Sequence, residues 1–202
     1  ISMQLTPDET QALLHAAPAA YRAQVDEILL AALAETIGAW TGSSHIFINL
    51  EGHGREDIFP EINLAETVGW FTTMYPVALP VLRVTNWDAT IKSVKEHLRQ
   101  IPSHGLGYGV LRYLCADATV RDDLATIPQP EICFNYLGQL DQALAGTMVM
   151  KPVLFHGSHE ATAHFIEINT GILDGQLFID WSYCYMRFAF ATIERLAQQY
   201  VS

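Results

Sequence analysis

Residues 165–185, FIEINTGILDGQLFIDWSYCY, decide the fold. The runs 165–173 and 176–185 are rich in aromatic and β-branched residues, and Asp174-Gly175 between them is the strongest short signal for a hairpin turn. Two long strands joined so tightly, and so late in the chain, do not suit the regular alternation of a doubly wound fold. Residues 131–137 read as another strand. Ile46-Phe47-Ile48-Asn49-Leu50-Glu51 is a strand that runs into Gly52-His53-Gly54-Arg55-Glu56, where two glycines stop it. Residues 70–82 are extended, but Pro76 and Pro80 interrupt them and place them near a sheet edge.

Helical patterns fill the intervals. Thr6 is a capping residue, Pro7 takes the first helical position and Asp8 and Glu9 the first turn, which predicts a short helix through about His15. Ile28, Leu29, Ala32, Leu33, Thr36, Ile37 and Trp40 recur at helical spacing from Val25 to near Gly42, as in a buried helix. Residues 86–101 carry Ile91, Val94, Leu98 and Ile101 on one face and stop at Pro102. Further helices are expected over residues 109–116 and 190–200. The expectation is one unit of mixed α/β architecture, a mixed sheet with helices.

The 202 residues are 50% hydrophobic and 16% charged, enough to bury a sizeable core. A formal charge of -11, from 22 acidic and 11 basic residues with no local basic cluster, repels phosphate backbones and excludes nucleic acid as a partner. Cys115, Cys133 and Cys184 are odd in number and widely spaced, which fits small buried thiols in a reducing compartment, by default the cytoplasm. No run approaches ~20 apolar residues and the start lacks the marks of a signal peptide, so no membrane association is expected. Ile1 ahead of Met3 reads as a start inside a longer chain or as a cloning remnant.

Chemistry concentrates at Glu51-Gly52-His53-Gly54-Arg55-Glu56. A carboxylate at the end of a buried strand, bounded by glycines, is accessible yet partly desolvated, and desolvation raises its pKa towards the range of a general base. The same run also reads as a surface turn with a Glu–Arg ion pair. Gly105-Leu106-Gly107-Tyr108-Gly109 lacks both a preceding strand and a Lys-Ser/Thr ending, so it is a turn leading into a helix rather than a phosphate loop. His156-x-x-His159-x4-His164 has no cysteine nearby and no recognised ligand spacing, which favours a surface loop over zinc, and no metal is expected. The cysteines have no histidine partner in a local motif that would make a thiol nucleophile.

Five blocks occur in one order: Asp26-Glu27-Ile28-Leu29-Leu30-Ala31-Ala32-Leu33-Ala34, the Glu51–Glu56 run, Thr67-Val68-Gly69-Trp70-Phe71-Thr72-Thr73-Met74-Tyr75-Pro76, Gly105-Leu106-Gly107-Tyr108-Gly109, and Phe134-Asn135-Tyr136-Leu137-Gly138. Together they resemble the downstream core motifs of epimerization domains in nonribosomal peptide synthetases, relatives of condensation domains with a chloramphenicol-acetyltransferase-like fold. The resemblance implies that residues 1–202 are the C-terminal subdomain of such a domain. The His-His-x-x-x-Asp-Gly motif of its N-terminal half is absent, and His156 and His159 do not replace it.

The activity implied is inversion of the α-carbon of an L-aminoacyl or peptidyl thioester. The substrate would be tethered to the 4'-phosphopantetheine of an upstream peptidyl carrier domain, with no covalently bound cofactor in the chain itself. The family's pattern makes Glu51 an acid/base, puts Arg55, Asn135 and Tyr136 at the catalytic centre, and lines the pantetheine channel with His53, Trp70 and Tyr75. Arg55 reads equally as half of a structural ion pair; without the resemblance Tyr136 reads more often as a core aromatic, and Phe71, which the family reading adds to the channel wall, reads at least as well as core. Neighbours on a regular strand face opposite ways, so at most one of Asn135 and Tyr136 should face the tunnel unless the strand is distorted or ends there. Two other readings stand beside this one: a condensation-type acyltransferase and a non-catalytic docking or scaffold module. The surface that would pack on the N-terminal half should be an apolar patch, from which self-association is expected.

Overall fold

Asp174 and Gly175 take φ values of +52° and +71°, the left-handed pair that a two-residue hairpin turn needs. The computed structural model describes residues 1–202 apart from 57, 59, 60, 65, 66, 84, 85 and 141–163. Six strands form one mixed sheet: β1 (Ser2–Gln4), β2 (His45–Gly52), β3 (Thr73–Pro80), β4 (Ile132–Gln139), β5 (Ile166–Leu173) and β6 (Gln176–Tyr183). Their order across the sheet is β1-β6-β5-β4-β2-β3. β4 runs parallel to both β2 and β5, and the remaining neighbours are antiparallel. The proline-bearing segment is the edge strand β3, as Pro76 and Pro80 require. The other edge, β1, lies in a tail that the sequence did not mark as a strand; it pairs with β6 from Ser2↔Asp180 to Gln4↔Phe178.

Helices α1 (Pro7–Gln11) and α2 (Ala17–Tyr21) flank a π-helical turn, Ala12–Ala16. The expected cap is present: Thr6 and Glu9 form a reciprocal capping box, but the helical path continues past His15 to Tyr21. α3 (Val25–Thr41) ends on Gly42 at φ +74°. Then follow α4 (Trp87–Arg99), a 3₁₀ turn (Pro102–Gly105), α5 (Gly107–Leu114), α6 (Ala118–Ala125) and α7 (Phe190–Val201). α5 begins two residues earlier than the apolar spacing suggested, and α6, capped by Asp117 on the Thr119 N–H, was not anticipated.

Strand alternation sorts the sheet into two faces. Ile48, Leu50, Val77, Leu79, Ile132, Phe134, Ile166, Ile168, Ile179 and Trp181 belong to one face and join the helices in a single core. α3 contacts β2, while α4 lies against β3 and α7 against β6 and β1. With sheet beneath it and a helix on either side, α3 is apolar nearly all round. Its first turn is tied to the end of α4: buried Glu27 accepts from Arg99 Nε at 3.0 Å and caps the Gln24 N–H at 2.7 Å. The opposite face carries Asn49, Glu51, Cys133, Asn135, Glu167 and Asn169, brought level by the pairs Asn49↔Cys133, Cys133↔Glu167 and Asn135↔Asn169.

Gly105 holds the turn before α5 against β3. It sits at φ +74°, and a Cβ there would lie 2.2 Å from the Tyr75 ring. Gly105→Ala is expected to combine left-handed strain with overpacking, about 2–4 kcal/mol, and to lower Tm by roughly 5–15 °C. Gly107→Ala, where an added methyl meets no described atom within 4 Å, should leave Tm unchanged or raise it. Equal melting of the two variants in thermal unfolding would contradict this role for Gly105.

Candidate active site

Glu51 stands near the end of β2, the last polar residue before the chain leaves the sheet. Alternation with Leu50, which is fixed in the core, turns its carboxylate to the polar face. There it lines a cavity of about 160 Å³ with Met74, Cys133, Asn135, His164, Glu167, Ile168 and Asn169. The Asn135 amide Nδ2 donates to Glu51 Oε2 at 2.9 Å, and the Cys133 thiol approaches Oε1 at 3.9 Å. A carboxylate has about four acceptor positions; one good donor and one weak one leave it under-solvated in a half-buried setting. Burial first, and then the charge of Glu167, push the Glu51 carboxyl above its ordinary range, while the Cys133 thiol and the His164 ring pull the other way. The balance is upward, so the side chain is a stronger base than an exposed glutamate. The same burial and the two carboxylates push the Cys133 thiol up to about 12, so it remains protonated and serves as a donor rather than a nucleophile.

A second line of contacts runs beside the first. The Asn49 amide Nδ2 lies 2.8 Å from His164 Nε2, and the other ring nitrogen, Nδ1, is 3.7 Å from Glu167 Oε1. Asn49 and His164 are both buried. Sequence reasoning brought Glu51 and Asn135 to this place but missed Asn49, Cys133, His164 and Glu167. The register supplies the signal: once Asn49 faces Cys133, the polar residues at alternate positions of β4 and β5 must line the same face. His156 and His159, the other members of the histidine series, lie outside the described residues.

The remaining predicted residues lie elsewhere. Tyr136 follows Asn135 and so points to the helix-bearing face, just before the register shift that ends in Gln139. Tyr75, opposite Leu50 in the ladder, points there too. Burial pushes the Tyr75 hydroxyl up to about 12, with Asp26 and Glu56 adding to it; burial and then Asp26 also raise Tyr136. Asp26, in the first turn of α3, is itself raised mainly by burial. Both hydroxyls thus feel the Asp26 charge, on the other side of the sheet from Glu51.

Arg55 makes no hydrogen bond to Glu51. Its guanidinium donates to the carbonyls of Leu64, Thr67 and Gly69 and lies 4.3 Å from the centroid of the Phe71 ring. It organises the loop between β2 and β3. Gly54 lets that loop close, since its φ is +65° and a Cβ there would meet the Phe71 carbonyl oxygen at 1.7 Å. His53 is 70% exposed and accepts from the Arg55 N–H at 3.0 Å. Glu56 lies between His53 and His104, at 3.5 Å and 3.1 Å. Trp70 is 90% exposed.

Residues 1–202 match the sequence model of the family described as Condensation domain. The chain is 44% identical to a linear gramicidin synthase polypeptide of Brevibacillus parabrevis over 206 residues, covering all of this chain and 3% of that protein. It is 42% identical to a mycosubtilin synthase polypeptide of Bacillus subtilis, covering 98% of this chain and 8% of that protein. For gramicidin S synthase 1 of Brevibacillus brevis the identity is 38%, over 99% of this chain and 19% of that protein. The chain thus spans less than a fifth of each of these relatives. Among solved structures, the epimerization domain from the third module of tyrocidine synthetase B superposes with a TM-score of 0.85 at 36% identity, over 99% of this chain and 45% of that one. The first condensation domain of the CDA synthetase shares the fold, with a TM-score of 0.65 at 18% identity over 100% of this chain and 43% of that one. Matched by the family model over its full length and placed on the same fold, this chain belongs to the condensation-domain family.

Proposed function

We propose that the chain is the C-terminal half of an epimerization domain that inverts the α-carbon of an aminoacyl or peptidyl thioester carried on the phosphopantetheine arm of a partner carrier domain. One observation carries this reading: a glutamate made more basic by burial, held by an asparagine amide at 2.9 Å, opens on a cavity. The likeness to the tyrocidine synthetase epimerization domain supports it.

A thioester α-carbon is a weak acid, so its proton is removed only if the acceptor is basic and correctly placed and the resulting enolate is stabilised. On this reading Glu51 takes or returns the proton on one face of the α-carbon. The Asn135 amide fixes the carboxylate without neutralising it. The protonated Cys133 thiol adds a weak donor beneath it. The groups for the opposite face belong to the upstream half, whose double-histidine motif this sequence lacks, so the 202 residues alone should not exchange the proton. Arg55 serves the reaction indirectly, by keeping the β2–β3 loop folded beside the site.

The matching family is that of condensation domains, and a reaction joining two acyl groups is separated from this one by the chirality of its product. In the domain reassembled with its upstream half, Glu51→Gln should lower α-proton exchange into deuterated water by about 10²–10⁴-fold, followed by mass spectrometry of the carrier-bound thioester. Retained exchange would remove Glu51 from the mechanism.

Because Glu51 works ionised and its pKa is raised, exchange should fall as pH drops through a midpoint above the ordinary glutamate range. Asn135→Ala removes a donor that favours the ionised form. It should therefore move that midpoint further up and lower the plateau by about 10- to 100-fold. An unmoved midpoint would deny Asn135 its role.

A further inference from the structure

Glu167 is the second carboxylate of the Glu51 cavity, and none of the roles given to Glu51, Asn135 and Cys133 draws on it. It sits on β5, two strands away from Glu51, directly opposite Cys133 in the β4–β5 ladder. Cys133 is in turn within reach of Glu51 Oε1, so the thiol lies between the two acids. Glu167 is held from the other side by His164, 3.7 Å away, and His164 is anchored to Asn49 on β2 at 2.8 Å. The contacts thus span three adjacent strands, with Asn49 two residues before Glu51 on the same face.

We propose that Glu167 is a positioning residue that acts through Glu51, its carboxylate across the Cys133 thiol setting how readily Glu51 accepts a proton. The inference deepens the epimerase reading and rests on it for its catalytic meaning. The physical basis is simple. Two carboxylates facing one small, partly water-excluded cavity resist being ionised together, so the first to ionise makes the second hold its proton longer than an isolated acid would. Burial of the Cys133 thiol rules it out as a charged intermediary, and the charge on Glu167 agrees in sign with the upward displacement of Glu51.

Among the described residues, His164, Asp180, Glu131 and, at the far end of β2, His45 are further titratable groups of this face. His164 borders Glu167 and also acts on Glu51, in the opposite direction. Asp180 on β6 is buried opposite Asn169. Glu131, two residues before Cys133, is exposed and paired with Arg187 at 3.6 Å. Of these groups, Glu167 is the one whose negative charge is felt at both Glu51 and Cys133.

The test is a carbon-13 NMR titration of the side-chain carboxyls in this chain, wild type against Glu167→Gln and Glu167→Asp, with α-proton exchange measured in parallel in the reassembled domain. In the wild type, the Glu51 midpoint should lie above that of an exposed glutamate side chain. Glu167→Gln should move the Glu51 midpoint to lower pH, and Glu167→Asp should leave it near the wild-type value. The acid limb of exchange should follow the same order. Its plateau should drop about two- to fivefold in Glu167→Gln, because a less basic carboxylate is a poorer proton acceptor. A wild-type Glu51 midpoint within the ordinary glutamate range would overturn the proposal even if Glu167→Gln failed to fold. So would a Glu51 midpoint unmoved by Glu167→Gln. A shifted midpoint in a domain without Glu51-dependent exchange would uphold the coupling and reject the epimerase reading instead.

Discussion

The parallel pairing of β2 with β4, over Ile48↔Ile132, Asn49↔Cys133 and Leu50↔Phe134, is the constraint on which the rest of the structure depends. Ile48, Leu50, Ile132 and Phe134 are all buried in the core beneath the helices, so neither strand can slip by one residue without exposing them. Each side chain of that size is worth about 1.5–3 kcal/mol when buried. The register that protects this apolar face also aligns Asn49, Glu51, Cys133 and Asn135 on the other. The position of the candidate base is thus set by hydrophobic packing on the side of the sheet it does not touch.

Much of this was legible in the sequence. The hairpin at Asp174-Gly175, the edge strand broken by two prolines and the long buried helix ending at Gly42 follow from local chemistry: left-handed turn residues, missing N–H groups and apolar spacing. Strand alternation also anticipated that Asn135 and Tyr136 would part company, and they do. β1 was not legible, because three residues have no periodicity and acquire their structure only by adding to β6. α6 was hidden for a related reason: none of its side chains is buried, so no apolar stripe marks it.

The site was read less completely than the fold. Glu51 announced itself through its glycines, but His164 and Glu167 are more than 110 residues away and join it only through the order β2-β4-β5, which no local pattern encodes. Arg55 shows the opposite error. Four residues from Glu51 and opposite in charge, it reads as a partner. Instead the β2–β3 loop offers it several carbonyl oxygens and an aromatic face, and these together outweigh one exposed ion pair.

The prolines of β3 also bear on what the sheet can join. Pro76 and Pro80 stand opposite Asn49 and His45, and the ladder with β2 continues through both, so their nitrogens must face away from it. Along that outer rim, alternate residues would normally present amide hydrogens to an arriving strand, and at two of these positions there is none to give. The edge of the sheet next to β2 is therefore a poor template for a foreign backbone.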